Sequence, residues 1–201
     1  MDFNIVLNLK KVLNDFIKPW YIAGGWAIDL YLGKVTRVHK DIDIMIFRHD
    51  QRELYEYLND WILYKVIPGQ HKRERWFRNE WLSLPIHEIC VTSHSKEKNP
   101  INFEVLLNES DHRYWYFRRN QHVKRLLYKI SKIGYQGIPY LSPEIILLYK
   151  AKEPTISDFN DFIQTMDLLT IEERTWLSTA IGYCYPSHPW YYFSRSTLII
   201  Q

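Results

Sequence analysis

Few cysteines and a balanced charge exclude several specialised classes of protein. The 201 residues include only two cysteines, Cys90 and Cys184, which lie far apart and form no Cys-x-x-Cys pair. A disulfide framework is therefore excluded, and we expect two ordinary thiols in a reduced intracellular protein. The 26 Lys and Arg against 23 Asp and Glu leave a formal net charge of +3. So small an excess does not predict nucleic-acid binding, although it is compatible with a local basic patch.

The sequence also has no long hydrophobic run and no linker rich in Pro, Gly or Ser. No apolar stretch approaches the ~20 residues of a membrane span, and the N-terminal MDFNIVLNLKKVLNDF lacks the features of a signal peptide. Instead, Ile5, Leu9, Val12 and Phe16 recur at the spacing of an amphipathic helix. With 46% apolar residues, the chain is long enough to bury a core. We expect a folded cytoplasmic protein without a membrane partner.

The order of the predicted elements indicates an α+β fold with a mixed β-sheet and helices on one side. Pro19 stops the first helix, Gly24-Gly25 makes a turn, and Asp50 with Glu53 predicts a helix start. The stretch PGQHKRERWF is typical of a polar loop, and SHSKEKNP of a hydrophilic turn. The predicted helices cover residues 26–32 and 50–60, and the predicted strands cover 20–23, 41–47, 62–67, 87–92, 101–107 and 114–118.

The pattern becomes entirely helical near Pro139. Ser142-Pro143-Glu144 predicts a helix start, with Ser as N-cap and Pro at the first helical position. Further helices are predicted over residues 157–169 and 170–183, the last one opened by a capping box of Thr170 and Glu173. We therefore predict an α/β domain over residues 1–138, followed by a helical C-terminal lobe over residues 139–201.

Two aspartates one residue apart, Asp41 and Asp43, lie in an otherwise apolar predicted strand. Their side chains project to one face, where they would repel each other unless a cation or a proton neutralises them. Carboxylate oxygens with open coordination positions suit Mg²⁺ and the two-metal chemistry of phosphoryl transfer. The alternative is an edge strand with two solvated aspartates. Gly24-Gly25 lies before a predicted helix whose N-terminal N–H groups would face a phosphate, which favours a site over a simple turn.

The whole segment GGWAIDLYLGKVTRVHKDIDI resembles the signature of polymerase-β-type nucleotidyltransferases. It is most similar to the small bacterial branch that includes aminoglycoside 2''-nucleotidyltransferases and lincosamide nucleotidyltransferases. Later traces of the resemblance are GIPYLSPEIILLYKAK, the DFNDF run and HPW. The resemblance implies a polymerase-β-like fold and a Mg²⁺-dependent enzyme that uses two metal ions. It also implies that the enzyme transfers a nucleoside monophosphate from an NTP, with ATP as the expected donor, and releases pyrophosphate.

The family also uses a third carboxylate from a neighbouring strand. Glu104, in INFEVLLNES, is the only acid inside an apolar strand pattern and is the best match. The branch often carries Asp here, so Glu104 is a departure that would shift the metal geometry. By resemblance, Glu104 is a metal ligand or the general base that takes the proton of the acceptor hydroxyl. Glu88 and Glu109 are weaker candidates for the same role.

The nucleotide phosphates require cationic or hydrogen-bonding partners. Residues immediately before the paired aspartates are placed to face a triphosphate, and the resemblance implies that the KAK segment of the helical lobe faces the cleft as well. Their alternative role is that of solvated loop charges or of cations at a helix C-terminus. The candidates are Thr36, Arg37, His39, Lys40 and Lys150, with Arg118 and Arg119 as weaker ones.

Three functions are compatible with these residues. The first is nucleotidyl transfer to a hydroxyl of a small molecule, for which the resemblance suggests an aminoglycoside- or lincosamide-like antibiotic. The second keeps the same chemistry but uses tRNA or a protein as the acceptor. The third is a catalytically silent binding protein with the same fold, which the intact acids disfavour. The sequence leaves open the acceptor, the nucleotide base and the oligomeric state.

Overall fold

The computed structural model describes residues 2–70, 72–93 and 101–196. Seven α-helices and ten β-strands are present in this part of the chain. The helices are α1 (Asn4–Val12), α2 (Gly24–Leu32), α3 (Gln51–Tyr57), α4 (Pro143–Lys150), α5 (Ile156–Met166), α6 (Ile171–Cys184) and α7 (Pro189–Ser196). The strands are β1 (Trp20–Ile22), β2 (Asp43–Phe47), β3 (Trp61–Ile67), β4 (Lys72–Arg75), β5 (Glu88–Ser93), β6 (Asn102–Ser110), β7 (Tyr114–Tyr116), β8 (Lys124–Leu126), β9 (Ser131–Ile133) and β10 (Pro139–Leu141).

The strands form one mixed sheet. Its order is β4-β3-β5-β6-β2-β1-β10-β9, and β7 pairs with β6 and then with β8. Two neighbouring pairs, β2 with β6 and β1 with β10, run parallel, whereas the other pairs run antiparallel. The predicted mixed sheet with helices is therefore confirmed as an α+β fold.

The core lies between the sheet and the helices. Central strand β2 buries Ile44, Met45 and Ile46 completely, and α4 buries nearly its whole length. An element that is apolar all round is stable only when it is covered on every side. Most of the abundant aromatic residues serve this packing. Trp190 of α7, for example, stacks on Phe162 of α5 with ring centroids 4.2 Å apart.

The sheet continues past the predicted domain boundary at residue 138. Strand β10 pairs with β1 and β9, so residues 139–141 belong to the sheet. The helices that follow pack against one another and against α2, since α4 contacts α2, α5 and α6. The division into two lobes stays a prediction, with α4 as the helix that connects them.

Several local predictions differ from the structure. Lys72–Arg75, predicted as a loop, forms edge strand β4 against β3, and its charged residues are typical of an exposed sheet edge. Asp50 makes no side-chain cap at the start of α3, because its buried carboxylate pairs with Lys18 at 3.1 Å. Helix α3 also ends at Tyr57 rather than near residue 60. The predicted turn at residues 94–100 lies outside the described residues.

The helical lobe agrees more closely with the predictions. The capping box of Thr170 and Glu173 is present at the start of α6. A second one, of Thr155 and Asp158, opens α5 and was not predicted. Ser142 occupies the N-cap position of α4, but its hydroxyl donates to the Lys129 carbonyl instead of capping the helix. Among the described residues, no helix has the length and apolar content that crossing a membrane requires.

Candidate active site

Four acidic residues and a cysteine lie on or next to three neighbouring strands, β2, β6 and β5. Asp43 is the first residue of β2 and pairs with Glu104 on parallel strand β6. Glu104 pairs in turn with Cys90 on β5, where Glu88 lies two residues earlier. Paired residues of adjacent strands point to the same face, so these side chains share one surface of the sheet. Asp41 is exposed and precedes β2, which makes the predicted strand over residues 41–47 two residues too long.

The acids perturb one another strongly. Burial raises the pKa of Asp43 to about 6, and the charges of Asp41 and Glu88 add to this increase. Burial likewise raises the pKa of Glu104 to about 7, with Glu88, Asp43 and Asp41 contributing in that order. Within the described chain, the only ion pair of these four acids joins Glu104 to Arg73, at 4.0 Å. The cluster therefore carries negative charge that cations of the protein neutralise only in part.

These residues fit a hard divalent cation. Asp41, Asp43 and Glu104 offer the carboxylate oxygens that Mg²⁺ prefers. Glu88, Cys90 and Glu104 can also approach one another, since one ligand atom from each lies within 4.8 Å of the others. The Cys90 thiol donates weakly to Glu104 at 3.9 Å, and burial raises its pKa to about 11, so the sulfur stays protonated at neutral pH. The oxygen ligands, rather than the thiol, form the natural cation site.

Side chains of the site approach the backbone at Gly24 and Gly25 so closely that only glycine fits at these two positions. Gly24 begins α2 with φ +58, and a Cβ atom there would come within 2.0 Å of the Asp43 carboxylate oxygen Oδ2. A Cβ atom on Gly25 would come within 2.4 Å of His39 and 2.6 Å of Arg37. A hydrogen bond of 2.8 Å from the Ala23 N–H to the Asp43 carbonyl fixes this loop against β2. The helix N-terminus is thereby held directly beside the acids.

Thr36 and His39 contact a buried acid that sequence analysis did not identify. Asp29 of α2 is 0% exposed and accepts hydrogen bonds from the Thr36 N–H at 3.2 Å and the Thr36 hydroxyl at 2.6 Å. Its other oxygen lies 2.5 Å from Nε2 of His39, whose side chain is 4% exposed. The sequence signal that could have identified Asp29 as buried is its position within the apolar helix pattern AIDLYL. Both predicted phosphate ligands thus position the loop before Asp41, and their contact with phosphate stays a prediction.

Arg37 and Lys150 meet at a second buried acid, Asp161 of α5. Asp161 is 2% exposed and lies 3.3 Å from Nη2 of Arg37 and 3.0 Å from Nζ of Lys150. Lys150 also pairs with Asp158, which belongs to the same DFNDF run. The structure therefore brings together Arg37 and Lys150, two predicted cations that lie far apart in the sequence. Lys40, the remaining candidate, is exposed.

A cavity of about 300 Å³ lies between the sheet and α4. Its size is at the lower end of small-molecule sites. Its lining includes Ala23 and Gly24 at the start of α2, Tyr149 and Lys150 of α4, and His87, Glu88, Arg118 and Arg119. Leu106 and Asn108 of β6 line it as well. The cavity therefore brings the glycine loop, α4 and Glu88 of β5 to one space.

The sequence matches the family described as aminoglycoside-2''-adenylyltransferase over residues 5–144. The chain belongs to this family. It is a family of enzymes, and membership confirms the resemblance drawn from the segment between Gly24 and Ile44. The match covers both glycines, Asp41, Asp43 and Glu104, and it ends just inside α4.

Individual relatives align over short segments. A 2''-aminoglycoside nucleotidyltransferase of Escherichia coli is 47% identical over 47 residues, which cover 22% of this chain and 27% of the relative. One from Klebsiella pneumoniae is 65% identical over 26 residues, or 13% of this chain and 15% of the relative. The chain thus aligns with only about a quarter or less of the length of these curated relatives.

Two solved structures share the fold over most of the chain. The lincosamide adenylyltransferase LnuA, bound to lincomycin, superposes with a TM-score of 0.57 at 15% identity, covering 84% of this chain and 99% of its own. ANT(2")-Ia, in complex with adenylyl-2"-tobramycin, gives a TM-score of 0.58 at 14% identity, covering 90% of this chain and 99% of its own. These likenesses confirm the nucleotidyltransferase fold.

Proposed function

We propose that this protein is a Mg²⁺-dependent nucleotidyltransferase. It transfers a nucleoside monophosphate from an NTP, with ATP as the expected donor, to a hydroxyl group of a small molecule and releases pyrophosphate. The observation that carries the proposal is the pairing of Asp43 with Glu104 on parallel strands beside the N-terminus of α2. This pairing places uncompensated carboxylates next to free backbone N–H groups, which metal-bound phosphate requires.

Asp41, Asp43 and Glu104 would hold the metal ions, of which we propose two. When bound, Mg²⁺ neutralises negative charge on the phosphates and supplies electrostatic stabilisation to the transferring group. The raised pKa values of Asp43 and Glu104 support this assignment, because they reflect carboxylates that burial and the neighbouring acids destabilise without a cation. Glu88 adds a fourth acid to the same face.

The phosphates of the nucleotide would lie at the start of α2. The first N–H groups of a helix have no partner within the helix and attract anions. Gly24 and Gly25 keep this approach open because neither carries a side chain. Arg37 and Lys150 would complete the phosphate site from the adjacent ion-pair cluster around Asp161. We propose weaker, positioning roles for Thr36, His39 and Lys40.

The reaction forms a bond between the acceptor oxygen and the α-phosphorus, and the bond to pyrophosphate breaks. The proton of the acceptor hydroxyl goes to a carboxylate, for which Glu104 is the proposed group. Glu104 lies on β6, between β2 with Asp43 and β5 with Glu88. The names of the structural relatives, with lincomycin and tobramycin, support a small hydroxylated acceptor.

The test is transfer of label from α-phosphate-labelled ATP and GTP in the presence of Mg²⁺. Three acceptor pools would be used: aminoglycosides with lincosamides, small metabolites from a bacterial extract, and total tRNA with protein. We expect label in one of the small-molecule pools. Asp43→Asn should reduce transfer by at least about a hundredfold, whereas Asp60→Asn, at an exposed site, should leave it unchanged.

Two results would overturn the proposal. One is transfer that Asp43→Asn leaves intact. The other is the absence of label in all three pools together with no binding of Mg²⁺-nucleotide by calorimetry. Label found only in tRNA or protein would support nucleotidyl transfer but would show that the acceptor is a macromolecule.

A further inference from the structure

One buried carboxylate connects two cations from separate elements of the fold. Oδ2 of Asp161 on α5 lies 3.3 Å from Nη2 of Arg37 and 3.0 Å from Nζ of Lys150. Arg37 belongs to the segment between α2 and β2, whereas Lys150 is the last residue of α4. The shared oxygen of Asp161 therefore fixes the two cations relative to each other.

Asp161 lies behind these cations, away from the space that a ligand would fill. Its side chain is 2% exposed, compared with 32% for Arg37, and it is not among the residues that line the cavity. Nη2 of Arg37 lies only 2.6 Å from the position of a Cβ atom on Gly25, at the start of α2. The nitrogen that contacts Asp161 is thus also next to the proposed phosphate site, so Asp161 can act on this site through Arg37.

Arg37 depends on Asp161 more than Lys150 does, because Lys150 also pairs with Asp158. Among residues 2–70, 72–93 and 101–196, Asp161 is the only acid within ion-pair distance of Arg37 and accepts the only hydrogen bond that its guanidinium donates. Without the Asp161 charge, the positive charges of Arg37 and Lys150 would repel each other. Arg37 would then lose its restraint, while Lys150 would keep Asp158.

A restrained guanidinium binds an anion more tightly than a free one. A long side chain loses rotamer freedom when a ligand immobilises it, and a contact that immobilises it beforehand removes this cost from binding. A guanidinium held at one nitrogen keeps further N–H groups in a fixed plane, which suits two parallel hydrogen bonds to a phosphate. Since Asp161 is buried and Arg37 reaches the start of α2, the acid and a phosphate can bind different N–H groups of the same guanidinium.

We propose that Asp161 is a positioning residue for the nucleotide, which holds Arg37 at the start of α2 in the orientation that binds the triphosphate. This inference rests on the proposed function and adds to it a residue that contacts neither the metal nor the nucleotide. Removal of the Asp161 charge weakens nucleotide binding through Arg37, not through a general loss of stability.

The test is a double-mutant cycle on nucleotide affinity. Calorimetry measures the binding of α,β-methylene-ATP with Mg²⁺ to the parent protein, Asp161→Asn, Arg37→Gln and the double variant. We expect each single substitution to weaken binding by about tenfold, the effect of losing one charge-assisted hydrogen bond. The double variant should bind as weakly as Arg37→Gln, within about twofold, because Asp161 then has no guanidinium to position.

Two further variants separate positioning from stability. Asp161→Glu keeps the charge and should recover part of the affinity, and it takes the place of Asp161→Asn in the cycle if the asparagine variant does not fold. Glu173→Gln is the matched control, since Glu173 is a buried acid of α6 that pairs with Lys132 at 2.7 Å, outside the cavity lining. It should lower the unfolding temperature and leave the nucleotide affinity unchanged. Thermal unfolding verifies that each variant is folded at the temperature of the titration.

Four outcomes contradict the inference. The first is unchanged binding by Asp161→Asn, and the second is tighter binding, which would mean that Asp161 competes with phosphate for Arg37. The third is an effect of Asp161→Asn that is undiminished in the Arg37→Gln background, and the fourth is an equal loss of affinity in Glu173→Gln. In all four the parent protein binds the nucleotide, so the proposed function stands. A parent protein that does not bind the Mg²⁺-bound analogue would overturn the proposed function and this inference with it.

Discussion

Two sets of buried acids in this protein differ in how their charge is compensated. Asp29 and Asp161 lie inside the structure and are surrounded by donors and cations from the chain itself. Asp43 and Glu104 face chiefly other acids, and their pKa values are raised by burial and then by these neighbouring charges. The first set holds the scaffold together, whereas the second is complete only with a cation from solution. Unmatched charge and partial exposure together distinguish the site from its support.

The largest expected effect is on the free energy of unfolding, when aspartate is replaced by asparagine once in each set. Asp29→Asn removes the charge that pairs with His39 and leaves a buried donor facing it. We expect the free energy of unfolding to fall by about 3 kcal/mol, as when one partner of a buried pair is removed. Asp43→Asn removes a buried charge whose desolvation and repulsion by Asp41 and Glu88 outweigh its attraction to Lys150 and His39. In metal-free buffer it should therefore leave stability unchanged or raise it. Denaturant unfolding monitored by tryptophan fluorescence measures both.

A loss of stability in Asp43→Asn comparable to that in Asp29→Asn would contradict the distinction. It would mean that Asp43 makes structural contacts like those of Asp29. Adding Mg²⁺ provides a control, since it should stabilise the parent protein and Asp29→Asn but not Asp43→Asn.

Substitution of glycine compares the site with a remote turn. Gly24 and Gly33 both have positive φ, at +58 and +68, so alanine strains the backbone at either position. Only at Gly24 does the new methyl group meet the Asp43 carboxylate, at 2.0 Å, while nothing lies within 4 Å at Gly33. We expect Gly24→Ala to reduce label transfer by about a hundredfold, because it displaces a catalytic carboxylate. Gly33→Ala should lose stability and keep its activity.

If both alanine variants transfer label at the parental rate, the close approach of α2 to β2 has no catalytic role. Thermal unfolding of Gly33→Ala measures the cost of the backbone strain that both variants share, and any larger loss in Gly24→Ala measures the added collision with Asp43.

The unmatched acids were predictable from sequence, whereas the matched ones were not. Asp41, Asp43 and Glu104 stand out because each interrupts an apolar pattern, and a resemblance to a family supports them. Strand pairing then makes Asp43 and Glu104 neighbours. This is a long-range contact, which no local sequence pattern can predict. Glu88, a weaker candidate from the sequence, is placed on the same face by the register of β5 with β6.

Asp29 and Asp161 were missed for the opposite reason. Each lies in a helix where an acid is usually solvent-exposed, so its burial depends on cations and donors that arrive from elsewhere in the chain. Arg37 reaches Asp161 across 124 positions in the sequence. Strand β4 was missed as well, because an edge strand of charged residues lacks the apolar alternation on which strand prediction depends.

Glu144 is an intermediate case between the two sets. It is fully buried in α4, with Arg125 at 2.6 Å, in an arrangement that makes an ion pair without a hydrogen bond. Burial raises its pKa from 4.5 to about 7, and Arg125 offsets only part of this effect. The folded protein therefore binds a proton more tightly than the unfolded chain, and Glu144 lowers stability as the pH rises from about 4.5 to 7.

We expect Glu144→Gln to remove up to about 3 kcal/mol of this pH dependence. The measurement is the free energy of unfolding of parent and variant between pH 5 and 8, compared as a difference so that other titrating groups cancel. A parallel pair of curves would show that Arg125 keeps Glu144 ionised throughout, which would place it with the compensated acids.

The smallest expected effect is a difference in nucleotide affinity between variants of the two capping boxes, at the starts of α5 and α6. Thr155 and Thr170 each cap a helix through the residue three positions later, so alanine at either should cost about 1 kcal/mol of stability. Asp158, the partner of Thr155, also pairs with Lys150 beside the cavity. The partner of Thr170 pairs instead with Lys132, outside the cavity lining.

Thr155→Ala should therefore weaken binding of Mg²⁺-ATP by about two- to threefold, because Asp158 loses a restraint and holds Lys150 less firmly. Thr170→Ala should leave the affinity unchanged at the same loss of stability. Calorimetric titration of nucleotide into both variants, with thermal unfolding as the common reference, makes the comparison. Equal affinities would mean that the compensated acids act on the site only as scaffold, and that nucleotide affinity depends on the unmatched acids and the start of α2.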